Sequence, residues 1–157
     1  LSGADMLTMH AVGGAAMMAA GHRGAEAAAF ERKVPVPATL AITVLTSMDA
    51  ESLAATGVSR ALPEQVSALA MQARKAGLSG IVCSPQEAKG MRELLGPEAL
   101  IVTPGVRPAG SATGDQSRVA TPAQAFENGA SHIVVGRPIT QAEDPVAAFE
   151  AIAAELA

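Results

Sequence analysis

Apolar and β-branched residues gather in five short runs along the chain, at 6–11, 40–45, 80–83, 100–103 and 132–135. Each run is nearly continuous rather than alternating, the pattern of a strand covered on both faces. Between the runs, apolar residues recur at the helical period. Val66, Leu69, Ala70 and Ala73 form one such stripe, and Val146, Phe149, Ile152 and Ala153 another. No two runs are separated by a two-residue hairpin turn, so parallel pairing through helical crossovers is favoured.

The helices are punctuated. Ser84-Pro85-Gln86-Glu87 reads as a capping box with Pro at the first helical position, and Thr121-Pro122-Ala123-Gln124 repeats it with Gln. Leu62-Pro63-Glu64 and Asp144-Pro145 open two further helices, and Gly77, Gly96 and Gly129 stand where helices should stop. A first helix from Gly14 to about Ala29 meets Gly21-His22-Arg23-Gly24, which predicts a break or a loose end there. The β-α-β-α series predicts a parallel α/β fold. A doubly wound sheet and a (β/α)8 TIM barrel both satisfy the periodicity. No G-x-G-x-x-G follows a strand, which counts against a dinucleotide fold. Barrels typically need ~250 residues, so about five βα units in one domain, 1–157, make an incomplete barrel.

Composition narrows the partners. The 157 residues are 49% hydrophobic, alanine-rich and without Trp or Tyr, which fits alanine helices packed closely on aliphatic strands. A net charge of −4 argues against nucleic acid or an acidic membrane, while a small anion needs only two or three local arginines. Cys83, the only cysteine, lies in an apolar run and reads as core, which excludes an internal disulfide. With no apolar stretch of spanning length and no signal-peptide pattern, the expected location is cytoplasmic. Leu1-Ser2-Gly3-Ala4 carries no initiator Met and runs straight into a strand, the pattern of a chain cut inside a larger fold.

The candidate chemistry lies at strand ends. Val135-Gly136-Arg137-Pro138-Ile139-Thr140 follows the fifth run and precedes a helix. A glycine there lets backbone N–H groups approach an anion, and the arginine adds a charged fork. Phosphate sites fall at this end of late barrel strands. The connection between Thr103 and Thr121 is long, rich in Gly, Pro and small polar residues, and carries Arg107 and Arg118. Such loops are functional or disordered in compact domains, and a lid over a bound phosphate is the natural reading. Arg118 reads as a solvated or capping charge. His10 reads as a packed strand histidine, His132 as structural and His22 as exposed. Three scattered histidines make no metal site. The seven methionines read as core filling.

Several segments together resemble bacterial orotidine 5′-phosphate decarboxylase. These are Asp5-Met6-Leu7-Thr8-Met9-His10-Ala11-Val12-Gly13-Gly14, Ala41-Ile42-Thr43-Val44-Leu45-Thr46-Ser47-Met48, Thr103-Pro104-Gly105-Val106-Arg107-Pro108 with Gly114-Asp115-Gln116-Ser117-Arg118, and Val134-Val135-Gly136-Arg137-Pro138-Ile139-Thr140. The resemblance spans essentially the whole chain. It implies a (β/α)8 barrel, a homodimer, and conversion of orotidine monophosphate (OMP) to uridine monophosphate (UMP) and CO2 in pyrimidine biosynthesis, with no metal or organic cofactor. By the same resemblance Arg137, the Gly136 backbone and Arg107 hold the 5′-phosphate. Gln116 spans phosphate and pyrimidine, and Thr46 bonds the pyrimidine edge, with Ser47 its alternative. The family's Asp-x-Lys-x-x-Asp motif is missing: Lys33, Lys75 and Lys89 are the only lysines and none sits in it. No catalytic residue is therefore assigned, the chain matches the last five strands of the barrel, and these residues alone are expected to be inactive.

Two rivals stay open. An aldolase or epimerase of sugar phosphates would share the terminal phosphate grip, but the Gly-Asp-Gln-x-Arg loop counts against it. A phosphate-binding partial barrel without activity fits the missing motif, and its open strand edges would favour association.

Overall fold

In the computed structural model, which describes residues 3–108 and 120–156, five parallel strands lie side by side in chain order. They are β1 (Met6–His10), β2 (Ala38–Ile42), β3 (Gly80–Val82), β4 (Leu100–Pro104) and β5 (His132–Val134). The helices are α1 (Gly14–Arg32), α2 (Ala50–Ala55), α3 (Leu62–Lys75), α4 (Ala88–Leu95), α5 (Pro122–Glu127), α6 (Arg137–Thr140) and α7 (Pro145–Ala154), with a 3-10 turn at Ala11–Gly13 after β1. A doubly wound sheet reverses its strand order at a switch point. Here the order β1-β2-β3-β4-β5 never reverses, so the sheet is an arc of βα-barrel type.

The register sorts the two faces. Ala41, Ile81 and Ile101 are paired across β2, β3 and β4 and are all essentially inaccessible. They pack with Met18 of α1, Val66, Leu69, Ala70 and Ala73 of α3, and Ala88 and Met91 of α4. The α3 stripe read from the sequence is thus buried in full. The opposite face carries the row His10, Ile42, Val82, Val102 and His132. Gly80 is required where β3 meets β4, because a Cβ there would overlap the Leu100 carbonyl.

Four expectations need correction. First, α1 runs unbroken through Gly21-His22-Arg23-Gly24. Its Gly21 lies over β1, where a Cβ would come within 2.9 Å of the Met9 side chain. His22, far from being free, bonds the Thr39 hydroxyl of β2 at 2.9 Å and approaches Glu26 at 3.7 Å, which holds the helix down. Second, the box at Ser84 is half formed. Glu87 accepts from the Ser84 amide at 2.9 Å, but the helix begins only at Ala88 and the Ser84 hydroxyl makes no return bond. The box at Thr121 is complete. Third, His10 is exposed, since β1 has a neighbour on one side only. Fourth, of the α7 face only Ile152 is buried, while Val146 and Phe149 are more than half exposed. The sheet ends at β5, so nothing among the described residues covers them.

Candidate functional site at the strand C-termini

Because all five strands are parallel, their C-terminal ends form one rim. Pairing continues past the assigned strands: the Thr43 amide and hydroxyl donate to the Val82 carbonyl at 3.1 and 2.9 Å, and the Cys83 amide to that of Val102 at 3.2 Å. These bonds fix the segments that follow. After β2 the chain turns through Leu45–Met48 (amide to carbonyl, 3.0 Å) and enters α2, capped by the Asp49 carboxylate on the Ser52 amide at 2.8 Å. That backbone bond holds the Asp49 carboxyl below its usual value of 3.8. Thr46, carried on this turn, is 8% exposed.

After β4, Gly105 turns the chain at φ 78°. Val106 then bridges Ala120 in parallel, and the Arg107 amide donates to the Ala120 carbonyl at 3.0 Å. The long connection is therefore clamped at its base. Val106 is buried with Ala125 and Ala130, and Ile133 and Val135 pack against the same cluster. Arg107, the next residue, is only 8% exposed, an unusual place for a guanidinium.

After β5, Gly136 precedes the short helix α6, whose Ile139 and Thr140 amides donate back to its carbonyl at 2.9 and 3.0 Å. Gly136 and Arg137 are both exposed, with open space where a Gly136 Cβ would stand.

Arg107 and Arg137 each follow by three residues the paired positions Pro104 and Val134. One apolar cluster thus sets Arg107 and Gly136-Arg137 on neighbouring strand ends. Thr46 lies on the same rim two strands from β4, about 10 Å away at ~4.8 Å per strand. Gln116 and Arg118 fall outside the described residues. Sequence reading took Ser84 for a helix cap and so missed it as a rim residue. The alternation Ile81, Cys83 inward to the helices was the available signal. Among the described residues no group of three or more His, Cys, Asp or Glu could hold a metal ion, and no helix is long and apolar enough to cross a membrane.

The comparisons match this layout. The model of the "Orotidine 5'-phosphate decarboxylase / HUMPS family" matches residues 1–152. An orotidine 5′-phosphate decarboxylase of Moorella thermoacetica is 56% identical over 157 residues, covering 98% of this chain and 62% of the relative. That of Anaeromyxobacter sp. is 53% identical, covering 99% and 65%. Among solved structures, orotidine 5′-phosphate decarboxylase from Lactobacillus acidophilus superposes with a TM-score of 0.79 at 41% identity, covering 96% of this chain and 62% of that one. An uncharacterized conserved protein from Geobacillus kaustophilus gives 0.76 at 34%. The chain thus spans somewhat under two thirds of the length of these relatives.

Proposed function

The chain belongs to the orotidine 5′-phosphate decarboxylase / HUMPS family, and from that premise we propose that it forms the nucleotide-binding part of an enzyme converting OMP to UMP and CO2. One observation carries the reading: a nearly buried arginine and a Gly-Arg pair stand on adjacent strand ends above a shared apolar cluster.

In this reading the Gly136 amide, Arg137 and Arg107 hold the 5′-phosphate, Thr46 bonds the pyrimidine edge, and Gln116 links the two ends from the long connection. Removing CO2 from the pyrimidine C6 leaves a carbanion with little resonance support. A cation beside C6 would stabilise it and then deliver the proton. The rim segments after β2, β4 and β5 do the complementary work. They grip the phosphate, remote from the bond that breaks, and use that binding to position the ring. The charge at C6 is assigned to strands beyond these five, which would also cover the open edges of β1 and β5. A homodimer, a cytoplasmic setting and a reaction without metal or organic cofactor belong to the same proposal. The sugar-phosphate aldolase or epimerase reading has no observation in its favour.

The test is Arg137→Ala in the full-length protein, assayed by the absorbance change on OMP decarboxylation. A charge-assisted bidentate contact of about 1.5–3 kcal/mol predicts a roughly 10- to 100-fold fall in kcat/KM. A value within a factor of two of the parent refutes the phosphate assignment. An inactive parent refutes the proposed reaction.

A further inference from the structure

Among the described residues, the Ser84 hydroxyl is the buried side-chain oxygen left without a hydrogen-bond partner. Ser84 is fully inaccessible, and its amide and carbonyl are both engaged with Glu87. A buried hydroxyl without a partner is costly and calls for an explanation.

Its place supplies one. Ile81 and Cys83 belong to the helix-packed core, while Val82 lies in the opposite row with Ile42 and Val102. Continuing the alternation puts Ser84 on the Val82 side, away from the helices. It follows Val82 by two residues, whereas Thr46, Arg107 and Arg137 follow the same row by four, five and five. Ser84 is therefore the deepest of these polar groups, and it sits on the strand between the one leading to Thr46 and the one leading to Arg107.

We infer that Ser84 positions the substrate by hydrogen-bonding the pyrimidine end of the bound nucleotide from the floor of the site. The phosphate groups lie higher on the rim, on β4 and β5, so the deep hydroxyl meets the base. Ligand entry must part the side chains that cover it, and the bond then made relieves the unpaired oxygen. The inference rests on the nucleotide reading above.

The experiment compares UMP with ribose 5-phosphate, which has no base, as ligands of the full-length protein and its Ser84→Ala variant. Calorimetry gives the affinities and thermal unfolding the Tm. A neutral hydrogen bond is worth about 3- to 10-fold. UMP should weaken by that factor, ribose 5-phosphate should not change, and the Tm without ligand should hold or rise, because an unpaired polar group has been removed. Ser84→Cys, nearly isosteric with a weaker donor, should fall between. UMP affinity equal to the parent's overturns the inference. So does a lowered Tm with both ligands weakened alike, which would give Ser84 a part in folding instead. If the parent itself does not bind UMP, the nucleotide reading fails first.

Discussion

Arg92 is the side chain whose loss should be felt most widely. It stands in the last turn of α4, where a cation also complements the helix dipole. Its Nε and Nη2 donate to the Gly129 carbonyl at 3.1 and 3.0 Å, and its Nη1 to the carbonyls of Gly96, Pro97 and Ala99 at 2.9, 2.8 and 2.7 Å. Nη1 has two hydrogens for three acceptors, so one of these bonds is shared. The fork ties the end of α4 to the start of β4 and to the turn before β5, the strands that end in Arg107 and Gly136. Hydrogen bonds from a charged donor are worth about 1.5–3 kcal/mol each when dry. Arg92 is partly exposed and its carbonyls can turn to water, so the net loss in Arg92→Ala should be about 3 kcal/mol. For a protein of 150–250 residues that is a Tm drop of roughly 6–12 °C. Arg92→Lys should recover less than half, because a compact ammonium lacks the guanidinium's planar fork, whose Nε and Nη2 face Gly129 while Nη1 faces Gly96, Pro97 and Ala99. Urea unfolding of the full-length protein, followed by far-ultraviolet circular dichroism, measures both. An Arg92→Ala variant within about 0.5 kcal/mol of the parent would show that the fork only decorates the surface.

Gly80→Ala should cost about 1–3 kcal/mol, because the added carbon meets the backbone of β4 rather than a side chain that can swing away; a soluble variant of parental Tm would contradict the steric argument. Thr121→Ala removes the hydroxyl half of a complete capping box and should cost about 1 kcal/mol in urea unfolding, with Thr121→Ser retaining most of it. Asp49 contributes through its ionised form, held below the ordinary 3.8 by the Ser52 amide. Its contribution is complete above that unfolded value and is lost as the pH falls through the lower folded value. Tm profiles of the parent and Asp49→Asn should therefore converge on acidification below about pH 4, and a gap that widens instead would reverse the assigned sign.

How much of this molecule could be read from its residues depended on whether the deciding interaction was local. All five strands were legible, because each is a short apolar run between strong stops, although β2 begins two residues before the expected Leu40. The Thr121 box was legible because both of its partners lie within one turn. The Ser84 box has the same spelling, yet its hydroxyl is buried at the strand end, and packing overrode the local motif. Gly21 and Gly24 predict a break by propensity, but the close approach to Met9 and the His22–Thr39 bond are contacts between distant segments that no local rule contains. Arg92 was invisible for the same reason, since two of its bonds reach 37 residues along the chain to Gly129. Strand order separated the barrel arc from a doubly wound sheet, and periodicity cannot encode that order. For the site, residue type and strand-end position pointed to Arg107, Gly136 and Arg137. What brings the first beside the other two is the shared packing of Val106 and Val135 with Ala125 and Ala130. The proposed anion grip thus rests on the core beneath it, and Val106→Ala in the full-length protein should weaken UMP binding by calorimetry although Val106 is not among the proposed ligand contacts; an unchanged affinity would separate the two.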